Sequence, residues 1–163
     1  MNGYRLLRRE NTGITEYRFY RGERLLGTGS AWITRDFPLV LRCAGLIMNS
    51  TFDPDKTIIP GISREIVDAD NATAVVARLT YLGISRYELV MNWDTGAVAV
   101  QIRSSEQGHR FFQGDREIAH MTRMTGLRHG SDWEEIFCLQ TETELDDETV
   151  MLLMSYPLLR FAM

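Results

Sequence analysis

The sequence predicts a mainly β domain, an antiparallel barrel of about ten to twelve strands around a buried apolar C-terminal helix. Two observations lead to this prediction. Turn signals such as Asp94-Thr95-Gly96 recur between runs of strand length, and the last segment of the chain is apolar at nearly every position. A chain of 163 residues fits one domain spanning 1–163, since compact domains usually have about 100 to 200 residues.

The strands are predicted from residues that alternate between two faces. Residues 14–20, ITEYRFY, place Thr15, Tyr17 and Phe19 on one face and the residues between them on the other. Further strands are indicated by the alternating sets Val75, Ala77, Leu79 and Tyr81; Tyr87, Leu89, Met91 and Trp93; Val98, Val100 and Ile102; and Trp133, Glu135, Phe137 and Leu139. Strands at this spacing are typical of a sandwich or barrel. The longest loop is expected at 53–61.

A C-terminal helix is predicted over about 147–162. Asp146 is a candidate N-cap, and Asp147 and Glu148 place negative charge in the first turn, where the helix dipole favours it. From Val150 onward nearly every residue is apolar, so the helix has no face that can meet water. In a β protein of this size the strands can bury such a helix on all sides by closing around it.

The apolar segment is too short for a membrane span, which needs about 20 apolar residues, and it contains Pro157 and Arg160. We therefore expect no transmembrane segment. The N-terminus has no apolar stretch of signal-peptide length. Cys43 and Cys138 lie in apolar surroundings without a pairing pattern, as expected of buried thiols in a reducing compartment. These features predict a cytoplasmic protein.

A many-stranded barrel threaded by an apolar helix resembles the tubby C-terminal-like fold, which tubby proteins, phospholipid scramblases and the LURP-one-related family share. The resemblance rests on the strand-turn-strand unit at 64–70 and 74–78 and on the final segment 149–161. Some members of that superfamily bind phosphoinositide headgroups through basic residues, and others are linked to the movement of membrane lipids. The resemblance implies a binding partner that is an anionic lipid headgroup or a protein.

Composition and spacing exclude several other functions. The formal net charge of −4 argues against a nucleic-acid partner, because such proteins need a net basic face. The three histidines are separated by 11 and 9 residues, which matches neither the i, i+2 strand pattern nor the i, i+4 helix pattern that zinc sites commonly use, so no metal is expected. No G-x-S-x-G motif is present, and no catalytic residue stands out. We expect no cofactor.

The candidate binding site is the basic region 103–128, which carries five arginines and His109. Guanidinium groups can grip a phosphate or carboxylate, and a histidine can add a donor whose charge depends on pH. The alternative interpretation is that these residues are scattered over two strands and their turns, with some facing solvent. The candidate ligand-binding residues are Arg103, Arg110, Arg116, Arg123, Arg128 and His109.

An acidic segment, 132–148, has eight acidic residues and no basic one. Clustered carboxylates of this kind can hold a hard cation such as calcium. We favour a solvated strand edge and helix-start acids that complement the N-terminal arginines Arg5, Arg8 and Arg9.

Three functional hypotheses follow. The first is a non-enzymatic binding or regulatory module of tubby-like architecture that contacts its ligand through the arginines above. The second is a lipocalin-like carrier of a small apolar molecule, in which the helix packs outside the barrel and leaves a cavity. The third is a small β-barrel enzyme that uses His109 or His120 as a general base. The position of the helix distinguishes the first two.

Overall fold

The protein is a closed antiparallel barrel with one helix at its C-terminal end. A computed structural model describes residues 2–11, 13–32, 35–43, 46–50, 59–129 and 132–159, and over these ranges the barrel has twelve strands. The predicted fold class is confirmed. The predicted loop at 53–61 lies outside the described residues except for its last three positions.

Each strand pairs with its neighbours along the chain, and β1 pairs with β12 to close the ring. The elements are β1 (Asn2–Asn11), β2 (Ile14–Arg21), β3 (Arg24–Trp32), β4 (Arg35–Cys43), β5 (Leu46–Ser50), β6 (Ser63–Asp68), β7 (Asn71–Gly83), β8 (Arg86–Trp93), β9 (Gly96–Ser105), β10 (Gly108–Gln113), β11 (Arg116–His129), β12 (Asp132–Thr141) and α1 (Asp147–Leu159).

Because consecutive strands alternate in direction, the turns fall at two ends of the barrel. We call one the helix-start end; it includes the β2–β3 turn, the β8–β9 turn and residues 142–146, which lead into α1. We call the other the far end; it includes the β7–β8 turn and residues 59–62, which lead into β6.

Alternate residues of each strand face the interior, as the sequence pattern predicts. On β8, for example, Tyr87, Leu89 and Met91 are buried, while Arg86 and Asn92 are exposed. The same alternation continues on β9, where Val100 and Ile102 are buried. One continuous apolar core therefore fills the barrel.

The helix begins at Asp147, as predicted, and the Val150 N–H donates to the Asp146 carbonyl at 3.0 Å. Residues 150–155 are all fully buried. Six successive residues cover more than one turn of about 3.6 residues, so the helix is buried all round, inside the closed barrel. The predicted extension from 160 to 162 lies outside the described residues. Within the described part of the chain, no helix is long and apolar enough to cross a membrane.

Close packing fixes the helix against the wall. A Cβ atom on Gly27 of β3 would collide with the Met151 side chain and with the Arg42 carbonyl oxygen. The only polar side chain in the deeply buried stretch 150–155 is Ser155, whose hydroxyl donates to the Met151 carbonyl at 2.6 Å. The hydroxyl is thus satisfied within the helix.

Arginines surround the start of the helix. Arg24 donates to both carboxylate oxygens of Asp147, and Arg21 forms an ion pair with Glu144. Arg116 of the β10–β11 turn lies 3.9 Å from Glu142. These acids therefore pair with arginines beside the β2–β3 and β10–β11 turns rather than with the predicted arginines of β1. Both turns lie at the helix-start end of the barrel. Of the three N-terminal arginines that the sequence analysis matched with the acidic segment 132–148, Arg8 does form an ion pair with one of its acids, Glu135.

Candidate anion-binding site

Basic residues form a row across four neighbouring strands. In register, Arg86 of β8 is the partner of Arg103 of β9, Arg103 is the partner of Arg110 of β10, and Arg110 is the partner of His120 of β11. We call these four residues the arginine row. Each of the four has at least one buried neighbour along its strand, so the row faces outward, and its three arginines are exposed. These buried neighbours are Tyr87, Ile102, Phe111, Ala119 and Met121.

An aromatic ring lies under two of the guanidinium groups. The guanidinium carbon of Arg103 is 4.8 Å from the centroid of the Phe112 ring, and that of Arg110 is 5.3 Å from the same centroid. Both distances fall within the range of a cation–π interaction. Phe112 therefore holds two positive charges close together, on one patch of the outer wall.

One carboxylate pairs with the row. Arg110 donates to Glu117 from Nη2 at 2.6 Å and from Nε at 3.2 Å. This hydrogen bond raises the pKa of Arg110 and lowers the pKa of Glu117. Glu117 reaches the outer face because a bulge between Phe111 and Phe112 shifts the register of β10 and β11.

The other two arginines differ from Arg110. Among the described residues, neither Arg86 nor Arg103 forms an ion pair with a carboxylate. The nearby Glu88 accepts a hydrogen bond from Gln101 at 2.5 Å. Directly opposed cross-strand residues have Cβ atoms about 5 Å apart, and like charges at that distance destabilise a sheet. An oxyanion bound between the arginines would remove this repulsion.

The structure brings together two of the predicted site residues, Arg103 and Arg110. Arg116 lies at the helix-start end, beside Glu142. Arg123 lies at a bulge of β11, where its Nη1 is 3.7 Å from Glu135 Oε2. The side chain of Arg128 lies outside the described residues. The row is thus smaller than the predicted set and has a different membership.

The predicted residue His109 faces the other side of the wall. It occupies the inner face of β10, and its Nδ1 is 2.9 Å from Ser104 Oγ, its cross-strand partner on β9. His109 and Arg110 are successive residues of one strand, so their side chains lie on opposite faces of the sheet. His120, which the sequence suggested as a general base, lies in the outward row instead.

Sequence reasoning left both Arg86 and Phe112 out of the site. Arg86 is 17 residues before Arg103 in the chain, and only the register of β8 against β9 makes them neighbours. The position of Phe112, two residues after Arg110 in a strand, was a usable signal, because residues i and i+2 share a face.

A second polar cluster lies inside the barrel. Arg8 donates to Glu135 at 3.0 Å and lies 2.8 Å from Glu10. Burial alone would lower the pKa of Arg8, but its hydrogen bond to Tyr17 and the charges of both acids raise it. Because its carboxylates neutralise Arg8 inside the barrel, this cluster is a structural pair rather than an open anion site.

No protein-family model matches the chain, and neither does any curated protein or solved structure. The tubby-like resemblance of the sequence therefore stays a prediction. Any functional conclusion has to rest on the geometry of the arginine row.

Proposed function

We propose that the protein is a non-enzymatic binding module of tubby-like architecture that recognises an anionic group, a phosphate or a carboxylate, on the arginine row. One observation carries the proposal. Arg86 and Arg103 are adjacent and exposed, and among the described residues neither has a carboxylate partner, whereas Arg21, Arg24 and Arg110 each pair with an acid.

As a ligand of the arginine row, a phosphate is favoured over a metal cation or a neutral molecule. A guanidinium presents a planar fork of donors that matches two oxygens of a phosphate or carboxylate. The guanidinium groups of Arg103 and Arg110 both lie within cation–π distance of the Phe112 ring. A single anion can then accept donors from two strands.

The net charge of −4 means that only the local field of the row attracts an anion. Salt screens such interactions over about 8–10 Å at physiological ionic strength. We therefore expect the affinity to fall as salt rises. The ligand class includes both free phosphate compounds and the phosphate of a lipid headgroup.

The carrier hypothesis requires the helix to pack outside the barrel and leave a cavity. In the described residues, the helix lies inside the barrel and is buried between 150 and 155. The helix thus takes the space in which an apolar ligand would bind.

Calorimetric titration with inorganic pyrophosphate tests the proposal. Replacing Arg103 by Ala should weaken binding by about tenfold to a hundredfold, because a hydrogen bond to a charged group contributes about 1.5–3 kcal/mol. Arg42→Ala is the matched control: it removes the same charge from an exposed outward position on β4, six strands around the ring from β10. Equal affinities for the two variants would contradict the proposal.

A second variant tests the role of Glu117. Replacing Glu117 by Gln removes the carboxylate that holds Arg110, so all three arginines become available to the anion. We expect pyrophosphate to bind several-fold more tightly to this variant than to the wild type. Weaker binding would mean that Arg110 takes part in the site only while Glu117 positions it, and unchanged binding would place the site on Arg86 and Arg103 alone.

A further inference from the structure

Exposed apolar side chains cluster at the far end of the barrel. Ile84 in the β7–β8 turn is 81% exposed, Ile59 is 58% exposed and Leu82 is 37% exposed. Residues 59–62 run beside the end of β7, since the Gly61 N–H donates to the Tyr81 carbonyl at 2.8 Å. We call Ile59, Leu82 and Ile84 the apolar tip.

The turn that carries Ile84 is held in place. Ser85 adopts a left-handed conformation with φ 60°. Its carbonyl accepts a hydrogen bond from the Ser104 N–H of β9 at 2.8 Å. Beneath the turn, the rings of Tyr81 and Tyr87 pack with centroids 5.4 Å apart. The fold itself therefore presents Ile84 to solvent, on a fixed turn, at the cost of exposing a large apolar side chain.

The apolar tip is continuous with the arginine row. Arg86, the first residue of the row, follows the β7–β8 turn directly and pairs with Gly83 across it. Moving from the tip onto the wall, the surface changes from Ile84 to Arg86 and then to Arg103 and Arg110. Exposed apolar side chains next to cations are the combination by which proteins bind to anionic membranes.

We infer that this surface docks the barrel on an anionic lipid bilayer, with the apolar tip inserted at the boundary between headgroups and acyl chains and the arginine row against lipid phosphates. The inference rests on the proposed function, since the row supplies the anion contacts, and it selects the lipid phosphate as their source. Two features favour a bilayer over a protein partner. Ile84 stands almost fully exposed on a two-residue turn and can enter a bilayer without a complementary pocket, and its cationic neighbours complement the negative surface of such a bilayer.

Vesicle sedimentation tests the inference. The full chain should sediment with phosphatidylcholine vesicles that contain phosphatidylserine, and far less with phosphatidylcholine alone. Ile84→Ser should lower the partition coefficient about tenfold, because an isoleucine side chain taken out of water contributes about this factor or more. Arg103→Ala should lower it about fivefold, the contribution of one basic residue near an anionic surface.

Leu25→Ser is the matched control. Leu25 is 50% exposed in the β2–β3 hairpin at the helix-start end, so its replacement changes an exposed leucine away from the proposed contact. We expect this variant to sediment like the wild type. Ile84→Ser should also bind pyrophosphate with wild-type affinity, which shows that the variant is folded and that its row is intact.

The depth of the tip gives a second readout. In Ile84→Trp, the new indole should be quenched by brominated phosphatidylcholine in vesicles that contain phosphatidylserine, beyond the quenching of the wild type. Absence of that extra quenching would overturn insertion of the tip.

The remaining outcomes separate the two proposals. If pyrophosphate binds but vesicles do not, the bilayer inference is wrong and the anion site stands, with a soluble anion or an acidic protein as its ligand. If Ile84→Ser and Leu25→Ser sediment equally, the tip does not dock. If Arg42→Ala matches Arg103→Ala in both assays, the proposed function fails together with the inference.

Discussion

Two groups of arginines in this protein have opposite surroundings. At the helix-start end, Arg21 and Arg24 each pair with an acid that leads into or begins the helix, Glu144 and Asp147. In the arginine row, Arg86 and Arg103 are neighbours of each other and of Arg110. Both groups consist of exposed cations on strand ends or outer faces of one small barrel.

The difference indicates which arginines the fold uses. An arginine paired with a carboxylate that belongs to another element helps to place that element, as Arg24 does for the first turn of α1. Arginines opposed to one another repel, and this repulsion offsets what their contacts with Phe112 contribute. Substitutions in the paired group should therefore change stability, and substitutions in the row should change binding instead.

The largest effect on stability is expected from Arg8, the paired arginine inside the barrel. Replacing Arg8 by Ala takes away the nearer of two arginines from Glu135, whose side chain is 11% exposed, and leaves it Arg123, which is 65% exposed and 3.7 Å away. Breaking a buried pair from one side costs about 3 kcal/mol, and urea denaturation should show this loss. Adding Glu135→Gln to the Arg8→Ala variant should recover part of it. No recovery in the double variant would contradict the pair as the cause.

Packing of the helix should produce the next largest effect. Gly27→Ala places a Cβ against Met151 and the Arg42 carbonyl, and overpacking of a core costs about 1–3 kcal/mol. Gly3→Ala is its control, because a Cβ on Gly3 meets nothing within 4 Å. A Gly27→Ala variant as stable as Gly3→Ala would mean that the helix can shift within the barrel. Thermal denaturation of the two variants measures the difference.

The fold was predictable because its signals are local. Alternation on β8 and β9, the turn signals between them and the largely apolar run that follows the acidic first turn of α1 each occupy a short stretch of sequence. Burial of the helix followed from the absence of a polar face. The barrel was then the remaining way to surround it.

The site was only partly predictable, because its contacts depend on register and closure. Arg8 and Glu135 are 127 residues apart and meet because β1 pairs with β12. Glu117 faces Arg110 because of a bulge that no sequence pattern indicates. His109, in contrast, could have been excluded from the outer face, because it shares the parity of the buried Phe111.

The ion pair at the start of the helix should give a smaller effect that depends on pH. The hydrogen bond from Arg21 lowers the pKa of Glu144 below its ordinary value of 4.5. A carboxyl group with a lowered pKa in the folded state stabilises the protein fully above the unfolded pKa. That contribution is lost as the pH falls through the folded pKa. We therefore expect Arg21→Gln to be less stable than the wild type at neutral pH and to approach it in acid.

Urea denaturation at about pH 7 and about pH 3 compares the two proteins on either side of the carboxyl titration. Arg18→Gln, an exposed substitution on the outer face of the same strand, controls for the loss of one positive charge. A stability difference between wild type and Arg21→Gln that stays constant with pH would exclude Glu144 as the partner that matters.

The smallest effect on stability is expected in the arginine row, where the effect on binding should be largest. Replacing Arg103 by Ala removes a charge that opposes Arg86 and Arg110 across the sheet, and it also removes a contact with Phe112. The relief of repulsion and the loss of the ring contact act in opposite directions, so the free energy of unfolding should change by no more than about 0.5 kcal/mol. A larger loss of stability would make Arg103 a structural residue like Arg8. Unchanged stability together with weakened pyrophosphate binding would show that Arg103 serves binding, whereas Arg8, Arg21 and Arg24 serve stability.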